Sequence, residues 1–179
     1  MVFKETGLRG AYIIEIEQNK DERGFFARAF CQKEFTAHGL EAVIKQSNIS
    51  YSKNKGTLRG MHYQSAPFEE TKLVSCIKGK VYDVIIDLRK NSDTYCKWYS
   101  VELSEEDHKM LYVPKGFAHG FQTLKDNSVF FYQMFESYHP EYAMGVRWND
   151  PLFSIEWPSA IRTISLKDKT HPLFKKDIL

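Results

Sequence analysis

One short stretch, Gly56-Thr57-Leu58-Arg59-Gly60-Met61-His62-Tyr63-Gln64 followed by Lys72, gathers an imidazole, a guanidinium and an amine. Imidazole titrates near neutral pH without help, so His62 is a candidate base. A fixed cation beside it suits an anionic substrate. As a strand, the stretch alternates, with Leu58, Gly60, His62 and Gln64 on one face and Arg59, Met61 and Tyr63 on the other. Gly60 leaves a gap next to His62 where a ligand or a bulge can approach. A histidine satisfied in a sheet core fits the stretch equally well.

The other side chains with chemical handles are Lys72, Arg23, His119, Tyr132, Tyr138, Asp83 and Asp168. A metal centre is disfavoured: no HxH pair occurs, Gln64 stands two residues beyond His62, and no third imidazole is well placed to join His62 and His119. There is no GxSxG elbow for nucleophilic hydrolysis, and Ser50 and Ser75 stand in no recognisable frame. Neither a phosphate-cradling glycine loop nor a dinucleotide fingerprint is present. What remains is proton abstraction beside a carbonyl, with a histidine base, a tyrosine acid and a lysine to hold the enolate oxygen. Asp83 and Asp87 read as structural partners in the sheet, and His38, His108, His139 and His171 as ordinary histidines.

These groups must be positioned by strands. Apolar and aromatic runs fall at residues 10–16, 25–30, 42–50, 72–77, 81–88, 97–103, 111–113, 117–124 and 129–135. Residues 18–24 and 52–56 read as turns, and Ser104 as the cap of a short turn. Residues 32–38 make two helical turns stopped by Gly39. Tyr82, Val84, Ile86 and Leu88 share one strand face, and Phe130, Tyr132 and Met134 another. Beyond Pro140 the chain reads as irregular. Many short strands with Gly and Pro between them, and no long helical period, specify a single all-β domain over residues 1–179.

The bulk properties are those of an ordinary soluble globular protein. The chain has 179 residues, is 42% hydrophobic and 15% aromatic, and carries a net charge of +2, which argues against a nucleic-acid partner. No apolar run approaches the roughly 20 residues that span a bilayer, so no membrane partner is expected. The N-terminus lacks a signal-peptide core. Three cysteines outside any CxxC pair point to reduced thiols in a cytoplasm.

Several blocks together then resemble one family. Asp21-Glu22-Arg23-Gly24-Phe25-Phe26, Gln46-Ser47-Asn48, the 56–64 stretch, Lys72-Leu73-Val74, Asp83-Val84-Ile85-Ile86-Asp87-Leu88-Arg89, Pro114-Lys115-Gly116-Phe117-Ala118-His119-Gly120-Phe121 and Trp148-Asn149-Asp150-Pro151 follow the order and spacing of the dTDP-4-dehydrorhamnose 3,5-epimerase family. The resemblance runs from about residue 10 to residue 168. It implies a cupin-like double-stranded β-helix, or jelly roll, without metal or organic cofactor. It also implies a homodimer in which an N-terminal strand crosses to the partner.

By the same resemblance, the substrate is a nucleotide-diphospho-4-keto-6-deoxy sugar, epimerised at C3, C5 or both. His62 looks like the general base, oriented by Asp168, and Tyr132 like the acid on the opposite face of the sugar. Lys72 looks like the enolate-stabilising cation, and Arg23 and Arg59 like diphosphate clamps. Gln46, Asn48, His119 and Lys167 look like further substrate contacts, and Tyr138 like a platform for the nucleotide base. Two positions depart from the family pattern. Arg28 stands where an acid is usual two residues after Phe26, and Ala143 where an acid is usual three residues after Pro140. An arginine near the nucleotide favours another base, such as cytosine in a CDP-sugar, or a substrate with a further acidic group. A 3,4-ketoisomerase and a non-catalytic sugar-nucleotide binder are the competing functions; His62, Tyr132 and Lys72 together favour epimerisation.

Overall fold

Branched and aromatic side chains pack well on a pleated surface, and the short runs of Val, Ile, Phe and Tyr fold as strands. The computed structural model describes residues 1–176. The chain begins with β1 (Val2–Glu5), β2 (Tyr12–Glu15), β3 (Gln18–Asp21), β4 (Gly24–Ala27) and a short helix α1 (Gln32–Ala37). It continues through β5 (Gln46–Ser52), β6 (Thr57–Gln64), β7 (Lys72–Lys78), β8 (Lys80–Asp87) and β9 (Trp98–Ser104). Then follow β10 (Lys109–Val113), β11 (Phe117–Thr123), β12 (Ser128–Met134), β13 (Ala143–Gly145), β14 (Thr163–Ile164) and α2 (Leu166–Lys169).

Apart from the two-stranded β3–β4 hairpin, the strands form two facing sheets. The first has the order β1-β2-β10-β7-β12-β5, and the second β13-β6-β11-β8-β9 with β14 attached to β6. This is a cupin-like jelly roll. The core between the sheets takes Ile13, Val74 and Phe130 from the first and Val81, Ile85 and Phe121 from the second. Outside the first sheet, Phe35 of α1 packs with Ile14, Leu73 and Tyr112. Outside the second, Met61, Val84, Ile86 and Ala118 pack with Val146, Phe153 and Trp157 of the C-terminal segment. The period of two thus sorts each strand: in β8, Val81 and Ile85 turn inward, and Val84 and Ile86 outward with Tyr82 and Leu88.

The structure is more regular than the sequence implies. Residues 18–21, expected in a turn, are strand β3, hairpin-paired with β4 from Gln18↔Ala27 to Asp21↔Gly24. β3 is wholly polar, so it shows no alternation to read. β1 pairs with β2 of its own chain. Past Pro140, β13 pairs antiparallel and β14 parallel with β6. Cys31, Cys76 and Cys96 are free thiols. Among the described residues no helix is long and apolar enough to cross a membrane.

Candidate active site

β6 is built to bring Arg59 and His62 onto one face. Its register against β11 runs from His119↔His62 to Phe121↔Arg59, three residues on β6 against two on β11. The extra residue is a bulge. Gly60 carries it with φ +123, in a region that L side chains rarely adopt. A Cβ there would stand 2.5 Å from Gly120 Cα and 2.9 Å from the His119 carbonyl oxygen. Simple alternation put Arg59 behind the strand; the bulge reverses that parity, and Arg59, His62 and Gln64 line one cavity. Met61 turns the other way, fully buried in the outer cluster.

The C-terminal segment supplies the partner of His62. β14 runs parallel to β6, with Thr163↔Thr57 and Ile164↔Leu58. Gly56 permits this approach, because a Cβ there would meet the Ala160 carbonyl oxygen at 2.6 Å. Ser165 then caps α2, its hydroxyl accepting from the Asp168 N–H at 3.0 Å. Asp168 is thereby turned back onto β6. His62 Nε2 lies 2.7 Å from Asp168 Oδ1, and the Gly60 N–H donates to Oδ2 at 3.2 Å. Burial alone would raise the Asp168 pKa, but hydrogen bonding and charge from His62, with Gly60 and Ser165, hold it below the ordinary carboxylate value. An ionised carboxylate can only accept hydrogen bonds, so the neutral His62 ring carries its hydrogen on Nε2, facing Asp168, and its lone pair on Nδ1.

The facing sheet supplies the opposite wall. Tyr132 of β12 stands beside Asn48 of β5 and Val74 of β7 in the ladder. Burial, then the negative charge of Asp83, push its phenol well above the ordinary tyrosine value. Tyr132 is therefore protonated throughout the physiological range. Lys72 of β7 is buried, its Nζ 2.8 Å from Glu70 Oε1 and donating to the His62 carbonyl oxygen at 3.3 Å. His119 of β11, also buried, has Nε2 2.6 Å from Asp83 Oδ1.

These groups border an open cavity of about 470 Å³, together with Gln46, Asn48, Tyr138, Ala143 and Lys167. Asp168 lies behind His62, on a second cleft that His62, Arg59 and Tyr132 also line. Two expected contacts stand elsewhere. Arg23 sits on the projecting β3–β4 hairpin, 84% exposed and paired with Asp21. Arg28 is bound to Glu34 of α1 at 3.0 Å and does not line the cavity, because the chain turns into α1 directly after β4. The departure at Arg28 therefore carries no argument about the nucleotide in this chain's own cavity. Ala143 does line it.

Two residues that the sequence reading left out of the site support it. Glu70 holds Lys72, and Asp83 holds His119. Asp83 was legible in principle: alternation along β8 turns it inward between Val81 and Ile85, where a carboxylate must find a partner. His171, read as ordinary, stands three residues beyond Asp168 and lies beside the dyad, its Nε2 3.8 Å from Asp168 Oδ1. Burial, then the nearby His62, hold the His171 imidazole below its ordinary value. Among the described residues, His62, Asp168 and His171 are the group whose donor atoms all lie close enough, within 4.8 Å of one another, to share a metal ion.

Comparison with known proteins bears on this constellation. Residues 5–176 match the family model described as dTDP-4-dehydrorhamnose 3,5-epimerase. The chain is 47% identical over 156 residues to the protein of that name from Methanothermobacter thermautotrophicus, covering 87% of this chain and 83% of the relative. The crystal structure of the Elizabethkingia anophelis dTDP-4-dehydrorhamnose 3,5-epimerase superposes with a TM-score of 0.94 at 42% identity, over 97% of this chain and 96% of that one. The Legionella pneumophila dTDP-6-deoxy-D-glucose-3,5-epimerase, solved in complex with dTDP-4-keto-L-rhamnose, gives 0.90 at 38% identity, over 96% and 92% of the two chains.

Proposed function

Because the chain belongs to the dTDP-4-dehydrorhamnose 3,5-epimerase family, we propose that it epimerises a dTDP-4-keto-6-deoxy sugar at C3 and C5 through the cavity just described. One observation carries this reading: the His62–Asp168 pair rises from one sheet, and Tyr132 with Lys72 faces it from the other. Epimerisation takes a proton from one face of a ring and returns one to the opposite face, so it needs two groups on two walls.

The chemistry follows from the geometry. The C4 ketone acidifies the hydrogens at C3 and C5. His62 Nδ1 accepts one of them while Asp168 keeps hold of Nε2–H and stabilises the imidazolium that forms. The Lys72 ammonium, steadied by Glu70, lies on the cavity wall where an enolate oxygen gains most from a cation. Tyr132 delivers its phenolic proton to the other face of the carbon, with the Arg59 charge easing the phenolate. The imidazolium and the phenolate then reset by proton exchange through the open cavity. Arg59 and Lys167 suit the diphosphate, and Tyr138, 55% exposed at the rim, suits stacking on the thymine. The three free cysteines suit a reducing compartment, and the cytoplasm is the proposed setting.

Arg23 enters the proposal through a homodimer of one-domain subunits. The β3–β4 hairpin bears Phe25 and Phe26 at 45% and 76% exposure beside Arg23, and two bare phenyl rings on a hairpin favour a partner's surface over water. The strand that crosses to the partner is then this N-terminal hairpin, and its Arg23 clamps the diphosphate in the partner's cavity.

The test is proton NMR in D2O with dTDP-4-keto-6-deoxyglucose, and in parallel with its CDP counterpart. Deuterium entering at C3 and C5 of the dTDP sugar is the expected result. Exchange with the CDP sugar alone would overturn the nucleotide, and exchange at one carbon alone would overturn the double epimerisation.

A further inference from the structure

We propose that His62, Asp168 and His171 form an inhibitory binding site for a first-row divalent transition metal ion, of which Zn²⁺ is the test case. His171 Nε2 is buried without a hydrogen-bond partner, on a side chain only 10% exposed. At 3.8 Å from Asp168 Oδ1 it is too far for a hydrogen bond. Leaving such a nitrogen unsatisfied is costly. The chain nonetheless holds the ring there. The next residue, Pro172, accepts the Arg147 N–H at 3.1 Å, and Gly145 makes room, since any Cβ at that position would run into the imidazole.

The donor set is the relevant chemistry. Two imidazoles and one carboxylate, with a position left open to solvent, are ligands that zinc prefers. Nitrogen and oxygen ligands about 2.0–2.1 Å from one tetrahedral ion stand about 3.3 Å apart. The three donor atoms here already lie within 4.8 Å of one another. Closing the remaining gap falls to His62, whose side chain is 42% exposed.

Inhibition follows from which nitrogen the ion takes, and this step rests on His62 being the base. The metal-free ring carries its hydrogen on Nε2 and its lone pair on Nδ1. A metal on Nε2 needs the lone pair there, so the proton moves to Nδ1, with none gained or lost by the ring. Nδ1–H faces the substrate and can no longer accept a proton from carbon. Asp168 gives its charge to the ion at the same time.

Two readouts keep the site and the reaction separate. Titration of the purified protein with Co²⁺, followed by its visible absorption, reads the site without any substrate. Zn²⁺ titration of the D2O exchange reaction, reversed with EDTA, reads the inhibition. The wild type is expected to show tetrahedral cobalt bands and zinc inhibition. His171→Gln is expected to weaken both effects at least about tenfold, with inhibition scored against the variant's own metal-free rate, since losing even an outer partner of a metal ligand costs that much. Gly145→Ala, which keeps the imidazole but drives a Cβ into its Nε2 edge, should weaken both effects as well. Equal cobalt binding by the wild type and both variants would overturn the site. Cobalt binding that depends on His171 while exchange runs unimpeded would overturn the inhibition, and with it the assignment of His62 Nδ1 as the base.

Discussion

Asp168 and Asp83 are both buried carboxylates that hold a histidine, and their surroundings drive them in opposite directions. Asp168 receives hydrogen bonds on both oxygens, which outweigh burial and keep it ionised. Asp83 is fully buried with Oδ2 unpartnered, so burial wins and its pKa rises despite His119. Asp168→Asn should leave the cavity intact but no longer enforce the Nε2–H tautomer of His62. Solvent-deuterium exchange should fall on the order of 10²–10⁴-fold, the usual worth of a positioned base, with dTDP binding by calorimetry unchanged. Equal losses in both measurements would mean that Asp168 serves folding instead. His119→Ala strands the Asp83 carboxyl and should lower the stability to urea by about 3–5 kcal/mol. The double variant with Asp83→Leu should regain much of that loss, since removing both partners of a buried pair is far milder than removing one. Residue types and spacing alone did not display these pairings; the family resemblance implied His62 with Asp168, and nothing implied His119 with Asp83. His62 meets Asp168 at a separation of 106 residues and His119 meets Asp83 at 36, and no local period encodes either.

The strands that obey simple alternation were legible. β8 and β12 turn the faces inward and outward that a period of two assigns, because a sheet buried on one face makes register expensive to change. β6 was not, because its bulge is a joint property of Gly60 and Gly120 on two strands. Gly60→Ala therefore meets both a disfavoured φ and the backbone of β11. It should destabilise the fold by several kcal/mol in thermal or chemical unfolding and abolish exchange, whereas a benign result would mean that the bulge can be repacked. β14 and α2 were hidden for a related reason: a two-residue parallel strand has too few side chains to show a pattern, and its position depends on Gly56. The turn from β8 to β9 permits a pH test. Burial would raise the Asp87 pKa, but hydrogen bonds from Arg89, Ser92 and Thr94 win and hold it below 3.8. A folded-state pKa below the unfolded one adds stability that is fully present above about pH 3.8 and is lost as pH falls through the lower folded value. The stability gap between wild type and Asp87→Asn should be widest near neutrality and close in acid. A gap independent of pH would show that the contact is not electrostatic.

At the scale of the whole molecule, one residue of the expected diphosphate clamp is out of place. Arg59 and Lys167 line the cavity, while Arg23 stands on the exposed hairpin, paired only with Asp21. A solvent-exposed pair of this kind contributes little, so the hairpin is not held for its sake. If Arg23 of one subunit serves the partner's cavity, the two can be separated genetically. Arg23→Ala alone and His62→Ala alone should each give a homodimer with little or no exchange activity. In a mixed dimer, the subunit that keeps His62 would receive an intact Arg23 from its partner, while the other cavity would lack both. Mixing the two inactive proteins under conditions that allow subunits to exchange should therefore restore activity, to about a quarter of the wild-type rate if the subunits pair at random. Were Arg23 to act within its own chain, every cavity in the mixture would still lack one group, and no activity would return. Sedimentation in parallel decides the remaining case. A chain that stays monomeric at working concentration while turning over substrate at full rate would exclude the shared site, and Arg23 would then have to fold back onto its own cavity.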